Sequence, residues 1–128
     1  MKTRKVYLMI LWIQGIYTLL TALWALIDIE SFMVITGPKT DIWLVKTVSI
    51  VLLAFSMVLI VQIFIRSNPL LVIIPAMINS IGLAGIDFYY SSLGTISGIY
   101  RADGILEIVF AIIWLYLLIH LKKLKMDD

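Results

Sequence analysis

From Val6 to Ile27 the chain carries no charged residue, and three further apolar runs of similar length follow it. A transmembrane helix needs about 20 predominantly apolar residues. Four such helices with short connections use up nearly all of the 128 positions and leave no room for a soluble domain. The runs therefore predict an all-α membrane protein, a single antiparallel bundle of four transmembrane helices set in a lipid bilayer.

Composition agrees with that class. Hydrophobic residues make up 62% of the chain and charged residues 14%, where a soluble domain is nearer to half and a quarter. Without a cysteine there is no disulfide, no thiol nucleophile and no Cys-ligated metal. No cofactor, no metal motif such as H-E-x-x-H and no nucleic-acid partner is expected.

The four helices are expected at about 5–28, 41–65, 69–91 and 98–121. The basic start Lys2-Thr3-Arg4-Lys5 precedes a run too long for a signal peptide, and bulky Leu23-Trp24-Ala25 stands where a cleavage site would fall. A retained first helix is expected. Gly37-Pro38 marks a turn, with Thr40 as N-cap and Asp41 in the following first turn. Arg66-Ser67-Asn68-Pro69 is so short that the second and third spans should form an antiparallel hairpin. Pro75 predicts a local opening of the third span. Ser97 is a candidate cap for the fourth.

Lys2, Arg4, Lys5, Arg66, Lys122, Lys123 and Lys125 fall on one side of such a bundle, against Lys39, Lys46 and Arg101 on the other. Seven against three predicts cytoplasmic termini.

Lys46, Asp87, Asp103 and Glu107 interrupt the second, third and fourth runs. A charge at the bilayer centre costs roughly 3 kcal/mol on insertion scales, so such residues face a partner or a cavity. At about 1.5 Å of rise per residue, Lys46, Asp87 and Asp103 lie roughly 10 Å from mid-span, all toward the outer side. Glu107 is one turn deeper, on the face of Asp103. Gln14, Thr18 and Thr21 form a polar stripe on the first span, and Tyr90 and Trp114 complete the expected wall. These positions predict a cavity open to the outside and closed toward the cytoplasm by Ile, Leu and Val. Lys46 is expected within reach of Asp87 or Asp103, with Arg101 near the mouth offsetting a second carboxylate. The excess negative charge suits a proton, a metal ion or an organic amine, and Glu107 is the carboxylate expected to hold a proton.

Other residues have plainer readings. His120 is expected at the interface beside the lysines that end the fourth span, and Trp24, Trp43, Tyr89 and Tyr100 belong to an aromatic belt. Gly82 and Gly85 predict close helix packing.

The segment Gly37-Pro38-Lys39-Thr40-Asp41-Ile42-Trp43-Leu44-Val45-Lys46-Thr47-Val48, with Tyr100-Arg101-Ala102-Asp103 and Glu107 later, resembles a group of small bacterial four-helix membrane proteins. They carry a similar G-P-K-x-D-x-W-L-V-K/R-T-V stretch and a similar Y-x-x-D-x-x-x-E. The resemblance implies a bacterial inner-membrane location and lends no substrate. From the residues themselves, the expected function is binding or proton-coupled transport of a small cationic or amphipathic ligand, with a homodimer completing a transport path. The alternatives are an accessory subunit whose buried charges are structural, and an acid/base enzyme using Asp103 and Glu107 on a lipidic substrate.

Overall fold

The computed structural model describes residues 2–126. Six helices follow in order: α1 (Lys2–Ile27), α2 (Ile29–Thr36), α3 (Ile42–Phe64), α4 (Leu70–Ser92), α5 (Ile99–Ile119) and α6 (Leu121–Met126). α1, α3, α4 and α5 are long and apolar enough to cross a membrane. The shortest of them, α5 with 21 residues, spans about 32 Å, enough for a hydrocarbon core of roughly 30 Å. The protein is a multi-pass membrane protein built as a four-helix bundle.

Two short helices are added to the expected spans, α2 where the sequence suggests only a connection and α6 where the fourth span is expected to have ended. α1 stops at Ile27 because Asp28 leaves helical geometry and caps α2, accepting from the Ser31 N–H at 3.2 Å. Phe32 anchors α2 by burying its ring edge-on against Trp24, 5.3 Å between centroids. Gly37 ends the helix at φ +98°, a conformation open to glycine, and its N–H returns to the Met33 carbonyl at 2.8 Å. At the other end of the bundle α6 continues the chain beyond His120 and buries Leu124.

The caps differ in detail from expectation. Asp41, not Thr40, is the residue that precedes α3, and its side chain makes no capping bond. Pro69, not Asn68, is the residue that precedes α4, and the Asn68 side chain accepts from the Leu70 N–H at 3.1 Å from one position further out. α4 runs on through Pro75. The Ser97 hydroxyl oxygen receives the Ile99 N–H at 3.4 Å.

Around the bundle the helices stand in the order α3–α1–α5–α4. α3 packs along α1 and α4 along α5, while α1 and α5 join the two pairs. The short link joins α3 and α4 as the expected antiparallel hairpin, but its two arms scarcely touch. Glycine explains the choice. A Cβ at Gly15 would lie 3.1 Å from Ile60 Cγ1 on α3, and one at Gly104 would lie 2.9 Å from the Phe88 ring and 3.2 Å from Asp87 Cβ on α4. In lipid, helices associate where small residues let backbones approach. Gly82 and Gly85 do not serve this purpose, since nothing stands within 4 Å of either Cβ position.

The core gathers Tyr7, Ile10, Leu11, Leu59, Val72, Ile73, Ala76, Phe110, Trp114, Leu117 and Leu124. It fills the half of the bundle that carries the termini. The half that carries α2 is hollow.

Candidate functional site

A cavity of about 690 Å³ occupies that hollow half. Its wall is mostly apolar and takes residues from α1, α2, α3, α4 and α5, with Asp87 and Asp103 as its carboxylates and Lys39 as its cation. Ligand sites of this kind, apolar with a few convergent polar groups, measure about 300–1,000 Å³.

Asp103 sits in the second turn of α5 and accepts the phenol proton of Tyr17 on α1. Asp87, buried on α4, neighbours Asp103 across the α4–α5 contact. The close passage of α4 over Gly104 sets this pair, because the Asp87 Cβ rests against the glycine that follows Asp103. Oδ2 of Asp87 is buried and has no hydrogen-bond partner among the described residues.

One turn below, Glu107 is only 2% exposed and does not line the cavity. It neighbours Ser80 on α4, and its Oε2 is buried without a hydrogen-bond partner among the described residues. Beneath it Gln14, fully buried, ties three helices together. Its Nε2 donates to Ser80 Oγ at 3.0 Å, and its Oε1 accepts from Trp114 Nε1 at 2.6 Å. A polar line therefore descends from Asp87 and Asp103 through Glu107, Ser80 and Gln14, and ends at the Trp114 indole in the apolar core. An indole N–H donates and cannot accept, so it relays no proton further.

The carboxylates are gathered as expected, but their expected cations are elsewhere. Lys46 is exposed on α3 and does not line the cavity. No ion pair joins it to a described carboxylate. The physical reason is rotational: Val45, Val48, Ser49 and Leu52 take the cavity face of α3, which turns Lys46 away. Arg101 is also exposed and points back to α4, donating to Ser91 Oγ and Ser91 O at 3.4 Å. Of the expected wall, Thr21 lines the cavity and spends its hydroxyl on the Tyr17 carbonyl at 2.8 Å. Thr18 is buried outside the lining, Gln14 and Trp114 lie below it, and Tyr90 is exposed with its ring against Tyr89.

Lys39 lies at the mouth instead. Its ammonium donates to Thr36 O, Thr36 Oγ1 and Gly37 O at 3.1–3.3 Å. It also stands 5.1 Å from the Tyr100 ring centre and 5.9 Å from that of Phe32. This links the segment after α2 to the start of α5 and roofs the cavity, so the mouth is more closed than the sequence suggests. Tyr17 could have been noticed in the sequence as a tyrosine in mid-span, far from either aromatic belt. Ser80 stands two turns before Asp87 on the same face of α4. The Lys39 cage, assembled from three segments, has no sequence signal.

Three carboxyl groups thus share one region with no cation in ion-pair contact among the described residues. Their summed charge has to be offset by protons or by a bound cation. Among the described residues no three His, Asp or Glu side chains are placed to hold a metal ion together. What the arrangement suits is a proton shared between Asp87 and Asp103, or an organic cation in its place. Comparisons with protein families, with curated proteins and with solved structures find no match to this chain.

Proposed function

We propose that this is an inner-membrane protein of a bacterium that binds a small organic cation with an apolar body, exchanging it for protons held by Asp87, Asp103 and Glu107. The observation that carries this reading is the Asp87–Asp103 pair, which lines an apolar cavity with no side-chain cation in ion-pair contact among the described residues. The bias of seven of ten basic residues to the end with the termini supports cytoplasmic termini and a cavity in the outer half. The resemblance of the Gly37–Val48 segment supports the location. If binding is one step of transport, the core beneath Gln14 has to open, and a homodimer would complete the path.

Butylamine, added to the purified protein in mild detergent at constant pH, tests the reading. Wild type should gain thermal stability with rising amine, as any ligand of the native state confers, and release protons in an unbuffered titration. Asp87→Asn and Asp103→Asn should keep the fold and lose both responses. Loss of the fold in both variants, with no amine effect on wild type, would instead make the carboxylates structural, as in an accessory subunit. An acid/base enzyme would need Asp103 and Glu107 to reach one substrate, and of the two only Asp103 lines the cavity.

A further inference from the structure

The cavity has one side without a helix. α3 and α4 both line it, yet they scarcely touch each other, and no other span stands between them on the lipid side. Leu44, Val48 and Ile86 line the cavity while keeping 43%, 51% and 52% of their surface exposed. Exposure on this scale at wall residues, beside two helices that scarcely touch, fits a cavity that is open between α3 and α4. Along α3, Leu44, Val48 and Leu52 follow at i, i+4 and i+8 and form one apolar rail. Leu83 and Ile86 form the opposite rail on α4. The rails end inward at the carboxyl groups of Asp87 and Asp103. Toward water, α2 and the Lys39 cage cover the same cavity.

Resting on the cation-binding reading above, we propose that the ligand is a single-chain lipophilic amine that enters from the outer leaflet through the gap between α3 and α4. Its ammonium group takes the place of the proton between Asp87 and Asp103, and its chain lies between the two rails. Charge complementarity selects an amine head. A phosphate-bearing lipid head would find no partner, since Lys39, the one cation lining the cavity among the described residues, already spends its ammonium on Thr36, Gly37 and two aromatic faces. A fatty acid would add a fourth carboxylate to three.

Native mass spectrometry of the whole protein released from nonionic detergent tests this with tetradecylamine, butylamine, tetradecanoic acid and tetradecylphosphocholine. Tetradecylamine should bind one to one and more tightly than butylamine by at least about tenfold, because only its chain can reach the rails. The acid and the phosphocholine should bind far more weakly. Leu83→Trp and Val48→Trp each narrow the gap, and in whichever folds, the preference for tetradecylamine over butylamine should collapse toward one. Equal binding of the two amines in wild type would overturn the lateral route and leave the cation site standing. Binding of neither amine would remove both readings. Tetradecylphosphocholine or tetradecanoic acid binding as well as tetradecylamine would overturn the amine head. A wild-type dimer that Leu83→Trp converts to monomer would show the gap to be an interface between two copies, and would overturn the proposal too.

Discussion

The Trp114 indole donates to Oε1 of Gln14 at 2.6 Å, and this contact sets the direction of the hydrogen bonds above it. Because an indole can only donate, the Gln14 amide presents its oxygen to Trp114 and its NH₂ to Ser80. Ser80 Oγ accepts there, which frees its own proton to turn toward Glu107. The chain of dipoles is thus aimed at the deepest carboxyl of the site.

Gln14→Leu should cost about 1–3 kcal/mol of stability, since it leaves the Trp114 N–H without its acceptor and the Ser80 oxygen without its donor. Trp114→Phe should cost a similar amount by orphaning the Gln14 oxygen. In a double-mutant cycle the two should be non-additive by about 0.6 kcal/mol and by no more than about 1.7 kcal/mol, the mean and the maximum for hydrogen bonds inside a membrane bundle. Unfolding in mixed micelles gives the values, and strict additivity would show that the two groups do not act as a pair.

Glu107→Gln should keep or raise the melting temperature in detergent. The amide oxygen can take the Ser80 proton as the carboxyl oxygen would, and no charge has to be held in a region without a cation. Glu107→Leu should be destabilised by about 1–3 kcal/mol, because Ser80 then loses its acceptor. If Glu107→Gln unfolds the protein while Asp103→Asn is silent, Glu107 is an ionised structural partner and proton exchange there is refuted.

Glycine substitutions should separate packed from open faces. Gly104→Val drives α4 from α5 at the Phe88 ring and Asp87 Cβ, and should cost about 1–3 kcal/mol together with weaker amine binding. Gly82→Ala meets no atom within 4 Å and should be neutral or stabilising by up to about 1 kcal/mol through helix propensity. Thermal melts of the two variants side by side decide the point.

Lys46→Met should leave stability and amine binding within about 0.5 kcal/mol of wild type, as an exposed position away from the site does. Lys39→Met removes the ammonium that joins Thr36 and Gly37 to the Tyr100 and Phe32 rings. It should speed amide hydrogen exchange over residues 29–37 as α2 loses its tie to α5. Equal exchange in the two variants would show that the Lys39 cage does not hold the roof.

Labelling tests the orientation. Single cysteines replacing Lys2 and Ser92, both exposed, report opposite ends of the bundle, and the chain has no native cysteine to interfere. An impermeant thiol reagent should label the Ser92→Cys variant and not the Lys2→Cys variant in intact cells. The reverse pattern would place the cavity in the cytoplasmic half.

What the sequence by itself determines here is vertical. Four apolar runs dictate four spans, and the constant rise of a helix fixes depth, so Asp87 and Asp103 could be set at one level and Glu107 one turn below. The facing of each helix is another matter. In water, apolar residues mark the inside; in lipid, the outside is as apolar as the core, and the pattern no longer tells one face from the other. α3 shows the consequence: apolar around most of its circumference, it could have turned Lys46 inward, and its packing against Gly15 of α1 turns Val45, Val48 and Ser49 to the cavity instead. The order α3–α1–α5–α4, the open side between α3 and α4, and the capture of Lys39 by its own loop follow in the same way, from where two glycines let backbones meet rather than from any run of residues along the chain.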